Sequence, residues 1–154
     1  MKKPKLLLKQ GYYHECEPFF DKLSDEIEVI ESRVEIFPKT MTHREILETY
    51  KIEPYTLEQA TGILLGILDD LKYPSRLIYF KDNDVLYCFN AYRRDGGGLR
   101  AFVYETLLDS RCYAGYGVCL SNKPLNTQSS DTSTLSSSDY CDCPRCINCK
   151  KLIK

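Results

Sequence analysis

The chain has 154 residues, of which 28% are charged and 43% hydrophobic, with a net charge of −1. A chain of this length accommodates one globular domain of roughly 100–120 residues, with a core that needs no metal or disulfide support, plus a tail. Residues 1–72 carry ten Lys/Arg against fourteen Asp/Glu, and residues 73–154 carry eleven against eight, a surplus too small to argue for phosphate binding on electrostatics alone.

The opening MKKPKLLLKQGYY has a basic start but only three consecutive leucines. A signal peptide needs an apolar run of about 7–15 residues and a membrane helix about 20, so the expectation is a cytoplasmic protein without a membrane span. Its eight cysteines are then expected to be reduced thiols rather than a disulfide framework. His14-Glu15-Cys16 is the one place where a histidine and a cysteine sit close in sequence. It supplies too few ligands for a metal site of its own.

Pro18 suits the first turn of a helix, and Phe19, Leu23, Ile27, Ile30 and Val34 follow at spacings of four, four, three and four. This stripe predicts an acidic amphipathic helix ending by Phe37, ahead of Pro38. Thr42-His43-Arg44-Glu45 has the capping-box pattern and predicts a short helix to about Tyr50, with His43 surface-exposed or structural in its first turn. Thr56-Leu57-Glu58-Gln59 repeats the box and opens the best-defined helix, with Leu57, Ala60, Leu64, Ile67, Leu68 and Leu71 on one side. Gly62 and Gly66 each cost about 1 kcal/mol against alanine there, and their spacing predicts a flat strip for close backbone approach. Asp69 and Asp70 sit near the helix end, where the dipole disfavours negative charge.

Arg76 to Glu105 is the densest β-forming stretch, broken at Asp82-Asn83-Asp84 and Asp95-Gly96-Gly97-Gly98. It predicts a three-stranded antiparallel meander with Phe80 opposite Tyr87 and Ile78 opposite Phe89. That register gathers Ile78, Phe80, Val85, Tyr87, Phe89 and Ala91 on one face, and a slip of one residue would scatter them. The face is expected to pack on the helix bearing Leu64, Ile67, Leu68 and Leu71. The opposite face, with Leu77, Tyr79, Leu86, Cys88 and Tyr92, is apolar enough to want partial cover. A fourth strand is expected across Cys112 to Leu120.

Ser121 to Asp139 contains seven serines and three threonines among nineteen residues, and reads as a flexible linker. The tail then places Cys141, Cys143, Cys146 and Cys149 in a C-x-C-x2-C-x2-C pattern. Thiolates at C-x2-C spacing can share one thiophilic ion, so these four are the candidate zinc ligands. Structural zinc normally takes two such units separated by a longer loop, so a remote ligand such as Cys16 or His14, or a second chain, could complete the site. The overlap with a bacterial iron–sulfur motif breaks down where Lys150 and Lys151 replace the expected continuation.

Arg76, Arg93, Arg94 and Arg100, interleaved with tyrosines, are the candidate nucleic-acid contacts on the sheet. Cys88, Cys112 and Cys119 have no histidine nearby in sequence to activate them. The sequence thus predicts an α+β domain over residues 1–120. Two longer helices and one short helix pack on a three- to four-stranded antiparallel meander, with a disordered Ser-rich linker at 121–139 and a Cys-rich basic tail at 140–154. Its function reads as a non-enzymatic binding or adaptor module for an unidentified protein partner, with zinc on the tail. The alternative is a nucleic-acid-associated zinc protein using the Arg/Tyr face. An enzyme ranks third, because no acid, base and activated nucleophile can be assembled from the sequence.

Overall fold

A computed structural model of the chain describes residues 1–10, 16–71, 75–93 and 99–125. The elements in order are β1 (Lys2–Pro4), a 3-10 turn (Lys5–Gln10), α1 (Glu17–Phe20), β2 (Glu26–Glu28), β3 (Ser32–Ile36), β4 (Met41–Thr42), α2 (His43–Thr49), β5 (Tyr55–Thr56) and α3 (Leu57–Ile67). A 3-10 turn (Leu68–Asp70) extends α3, and β6 (Arg76–Asp82), β7 (Val85–Arg93), β8 (Leu99–Glu105), β9 (Arg111–Cys112) and β10 (Gly117–Ser121) complete them. The architecture is a mixed α/β one, rich in strand, with three α-helices and both antiparallel and mixed sheets. The chain divides after Lys123 into two units, and most of the second lies outside the described residues, as do the expected linker beyond residue 125 and the cysteine tail.

Local chemistry sets the two main helices. Thr42 Oγ1 accepts the Glu45 N–H at 3.1 Å while Glu45 Oε1 accepts the Thr42 N–H at 2.9 Å. Thr56 and Gln59 repeat that exchange at 3.1 and 3.0 Å. Each box satisfies two of the N–H groups that a helix start leaves without partners. At the far end of α3, Arg93 donates to the Leu68 carbonyl at 2.8 Å. That guanidinium answers the negative helix end beside the exposed Asp69 and Asp70.

The main sheet runs β3-β10-β6-β7-β8, with β5 also beside β6. β6, β7 and β8 are successive antiparallel neighbours, with Ile78 opposite Phe89 and Phe80 opposite Tyr87. Asn83 and Asp84 both take positive φ, 52° and 64°, which is what a two-residue hairpin turn between right-twisted strands requires. On one face Ile78, Phe80, Phe89, Ala91, Ala101 and Val103 bury themselves against Leu64, Ile67, Leu68 and Leu71. A second cluster forms on the opposite face, where Leu77, Tyr79 and Cys88 meet Ile46 of α2 together with Phe37, Met41 and Cys112.

Two expectations fail. The expected helix from Pro18 to Phe37 is only α1, four residues long, followed by two strands. The apolar positions are right but the backbone is not: Ile27 is fully buried in β2 and Ile30 packs on the same core from the extended chain, while Phe19 reaches it from α1 and Leu23 from the turn that follows. Ile27, Val29, Ile30, Val34 and Ile36 crowd five β-branched residues into ten positions, and these favour strand over helix. The expected fourth strand also goes elsewhere. β9 pairs with β4, and β10 crosses to the other side of β6, lying parallel to it and antiparallel to β3.

The glycine strip explains where the extended segment goes. Gly62 accepts a hydrogen bond from the Ile30 N–H at 3.2 Å, and a Cβ on Gly62 would collide with the Glu28 carbonyl oxygen. A Cβ on Gly66 would stand 2.9 Å from the Ile30 carbonyl oxygen. Gly62→Ala should therefore destabilise the fold by roughly 1–3 kcal/mol through overpacking, although alanine is the better helix former by about 1 kcal/mol. Equilibrium denaturant unfolding checks this, and an unchanged or raised midpoint would refute the close approach.

Candidate functional site

The densest group of chemically capable side chains lies between α2 and the sheet. His43 comes from the first turn of α2, Tyr79 from β6, Cys88 from β7, Tyr104 from β8 and Cys112 from β9. The first turn of a helix is ordinarily solvated, and here it is covered. β4 pairs with β9, and the first N–H groups of α2 donate to loop carbonyls: His43 to Ser110 at 3.1 Å and Arg44 to Leu108 at 2.9 Å. His43 ends up 2% exposed.

The Tyr79 hydroxyl lies 2.6 Å from His43 Nδ1. Tyr79 is fully buried and burial pushes its ionisation far above the usual phenol range, so its O–H stays protonated and shares a neutral hydrogen bond with Nδ1. The two rings meet edge to face at 5.5 Å and 89°, and Tyr104 tilts against His43 at 6.0 Å. Burial holds the Tyr104 phenol protonated as well.

Cys112 is the residue that sequence proximity could not pair. Its sulfur stands 3.7 Å from both Nδ1 and Nε2 of His43, a partner 69 positions away. A nucleophilic cysteine–histidine pair works as thiolate and imidazolium, with the sulfur on the axis of one ring nitrogen. Neither condition is met. Equal distances put the sulfur off both axes. Burial pushes the Cys112 thiol up to about 11 and pulls His43 below its usual value, so both groups are neutral near pH 7. The cluster is a hydrogen-bonded core element rather than a poised nucleophile.

The remaining described thiols are equally quiet. Cys16, Cys88 and Cys119 are fully buried, and burial raises Cys119 to about 12 and Cys88 further. Cys16 donates to the Ala101 carbonyl at 3.6 Å, so serving as a remote ligand for the tail would require it to leave the core. Among the described residues no three His, Cys, Asp or Glu side chains group into a metal site. Cys141, Cys143, Cys146, Cys149 and His14 lie outside the described residues.

The candidate nucleic-acid arginines divide between the two faces of the sheet. Arg76 and Arg93 are on the α3 side by strand alternation, and Arg100 is on the other, directly opposite Tyr92. Arg94 lies outside the described residues. Around Arg100, Tyr92 stacks on Phe102 at 6.3 Å and 27°. Both rings are half-buried and belong to neither core cluster. A cleft of about 330 Å³ lies between the Pro4–Leu6 segment, Phe20 and Asp25, but the Lys5 ammonium beside it is committed to the Phe20 and Leu23 carbonyls at 3.0 and 2.7 Å. No helix among the described residues is long and apolar enough to cross a membrane. Comparison with family models, curated proteins and solved structures finds no match for the chain.

The lowered His43 value has a definite sign. The unfolded chain, with an ordinary histidine near 6.5, binds this proton more readily than the folded one. The stability contributed by keeping His43 neutral is thus present above about pH 6.5 and lost as pH falls toward the folded-state value. The melting temperature should fall between about pH 7 and pH 5, and His43→Gln, which keeps a neutral hydrogen-bonding partner for Tyr79, should flatten that slope. Parallel slopes for the two proteins would show that His43 does not titrate in this range.

Proposed function

We propose that the chain is a small cytosolic, non-enzymatic binding or adaptor module, its partner a protein, with a zinc-binding cysteine tail. The observation that carries this reading is the contrast between the two parts of the sheet face under α2. Where α2 covers it, the titratable groups are sealed and neutral. Beyond α2, Tyr92, Phe102, Arg100 and Asn90 stay half-exposed on a rigid two-strand platform. Stacked aromatic rings beside an arginine are the side chains that most often anchor protein interfaces. The same palette stacks nucleobases, so a nucleic-acid-associated zinc protein is the second reading. It ranks lower because Arg93 is spent on the Leu68 carbonyl and both Arg76 and Arg93 face away from the stack.

Replacing Phe102 with a photoreactive phenylalanine analogue in cells tests the choice. A protein adduct from position 102, absent when the exposed Lys51 position carries the probe, is the expected result. Tyr92→Ala should reduce that adduct by about tenfold, the effect of losing one anchor worth roughly 1.4 kcal/mol, without changing the melting temperature. A nuclease-sensitive adduct would move the assignment to nucleic acid, and no adduct at all would overturn the platform as a binding face.

The tail has its own test. With Cys141, Cys143, Cys146 and Cys149 as ligands, protein purified without oxygen should carry close to one equivalent of zinc, and Cys146→Ser should lose it while the domain keeps its cooperative melt. Elemental analysis that finds no metal, together with four freely titrating tail thiols, would remove zinc from the proposal.

A further inference from the structure

The two edges of the main sheet differ. At β8 the register, with Thr106 N–H bonded to the Leu86 carbonyl, turns the backbone groups of Ala101 away from β7. The thiol of Cys16, just ahead of α1, meets that outward Ala101 carbonyl and covers this edge there. At β3 the bond from Asn122 N–H to the Glu31 carbonyl fixes the alternation in the same way. Glu31, Arg33 and Glu35 then face β10, while Ser32, Val34 and Ile36 turn their N–H and C=O groups outward. Among the described residues β3 pairs with β10 alone. Val34 and Ile36, both β-branched and on one face, are 38% and 50% exposed. Edge strands of natural proteins are normally blunted by proline, lysine, a bulge or a covering loop. β3 has neither proline nor lysine within its span.

We propose that β3 pairs with β3 of a second copy of this chain, antiparallel and centred on Val34, so that the main sheet continues across a two-fold axis. The charges choose both the partner and the register. The outward groups can align only if Ser32, Val34 and Ile36 pair among themselves, which limits the registers to shifts of two residues. Centring on Val34 sets Arg33 of each copy opposite Glu35 of the other, with Val34 facing Val34 and Ser32 facing Ile36. Centring on Arg33 sets arginine against arginine, and centring on Glu35 sets glutamate against glutamate. Directly opposed like charges destabilise a strand pair and opposite charges stabilise it. Within one chain Arg33 Nε pairs with Glu35 at 3.3 Å, both about half-exposed, and its guanidinium also donates to the Ser121 carbonyl at 3.2 Å. In the pair, the four charges alternate in sign along the opposite face from the valines. The strand is self-complementary, as an isologous contact demands.

Analytical ultracentrifugation of the full chain, in the presence of a zinc chelator so that a metal bridge through the tail cannot contribute, tests the pairing. The expected result is a concentration-dependent dimer. Glu35→Arg alone and Arg33→Glu alone should each weaken it by about tenfold, because each sets like charges opposite at both symmetry-related positions. The double swap Arg33→Glu with Glu35→Arg should restore it, since opposite charges again face each other. Mixing the two single variants should yield a heterodimer in preference to either homodimer. Circular dichroism and melting curves of each variant verify that the fold is kept. A monomer at all concentrations, a dimer that the chelator dissolves, or a dimer indifferent to these charge changes would overturn the proposal.

Discussion

The architecture depends on the contact between the α3 backbone and the extended chain at residues 28–30. Gly62 and Gly66 remove the side chains that would keep the two apart, and the Ile30 N–H reaches the Gly62 carbonyl. Two glycines inside one helix weaken it by about 2 kcal/mol relative to alanine. That loss is offset because the approach brings Ile27 into the core as a fully buried side chain, worth about 1.5–3 kcal/mol against exposure. The helix also acquires cover on a side that would otherwise need another element. From there the remaining geometry follows: α3 holds one sheet face, the segment past β2 becomes β3, and β3 recruits β10 to the far side of β6.

β10 lies beside only the first residues of β6, and β5 beside its last, so the same edge of one strand is shared by two short parallel neighbours. The join is closed by a side chain. Tyr55 of β5 accepts the Ser121 N–H of β10 at 2.7 Å, which satisfies a backbone donor that no strand reaches. Burial raises Tyr55 above the ordinary phenol range and keeps its hydroxyl intact for this role. A tyrosine here thus does what a longer strand would do, and it lets the sheet be assembled from segments of five, two and seven residues.

How much of this was legible in the sequence follows the range of each signal. Both capping boxes, the break at Asp82-Asn83-Asp84 and the register of β6 against β7 depend on residues close in sequence, and each was readable; that the loop has two residues was not. The glycine strip was readable as a surface, but its occupant was not. Phe19, Leu23, Ile27 and Ile30 fit a helical stripe, and the weak preference of β-branched residues had to be weighed against that period. Tertiary contact with Gly62 and Gly66 decided it. His43 and Cys112 stand 69 positions apart, and only the pairing of β4 with β9 brings them together. The arginine set failed to gather on one face for a related reason. Alternation along β6 and β7 assigns each side chain to a face, while the offset between neighbouring strands depends on a pairing the arginines do not specify.

The distribution of sulfur connects fold and function. Half of the eight cysteines are in the described domain, and all four are buried free thiols, three of them with raised pKa values. A buried thiol with its proton held on is a small hydrophobe with a weak donor, and Cys16 and Cys88 use that donor on the carbonyls of Ala101 and Phe89. Such groups need not ionise for the fold to work, and ionisation would oppose it. The other four cysteines fall within nine residues that also carry Asp142 and Arg145 and are followed by Lys150 and Lys151. Soft-metal chemistry needs thiolates, and thiolates need either a metal or positive charge nearby. In the domain burial outweighs the Arg76 charge that acts on Cys119, whose thiol stays raised, whereas the proposed tail ligands combine C-x2-C spacing with neighbouring lysine and arginine. Folding therefore uses the four buried cysteines, and the proposed metal chemistry falls to the other four.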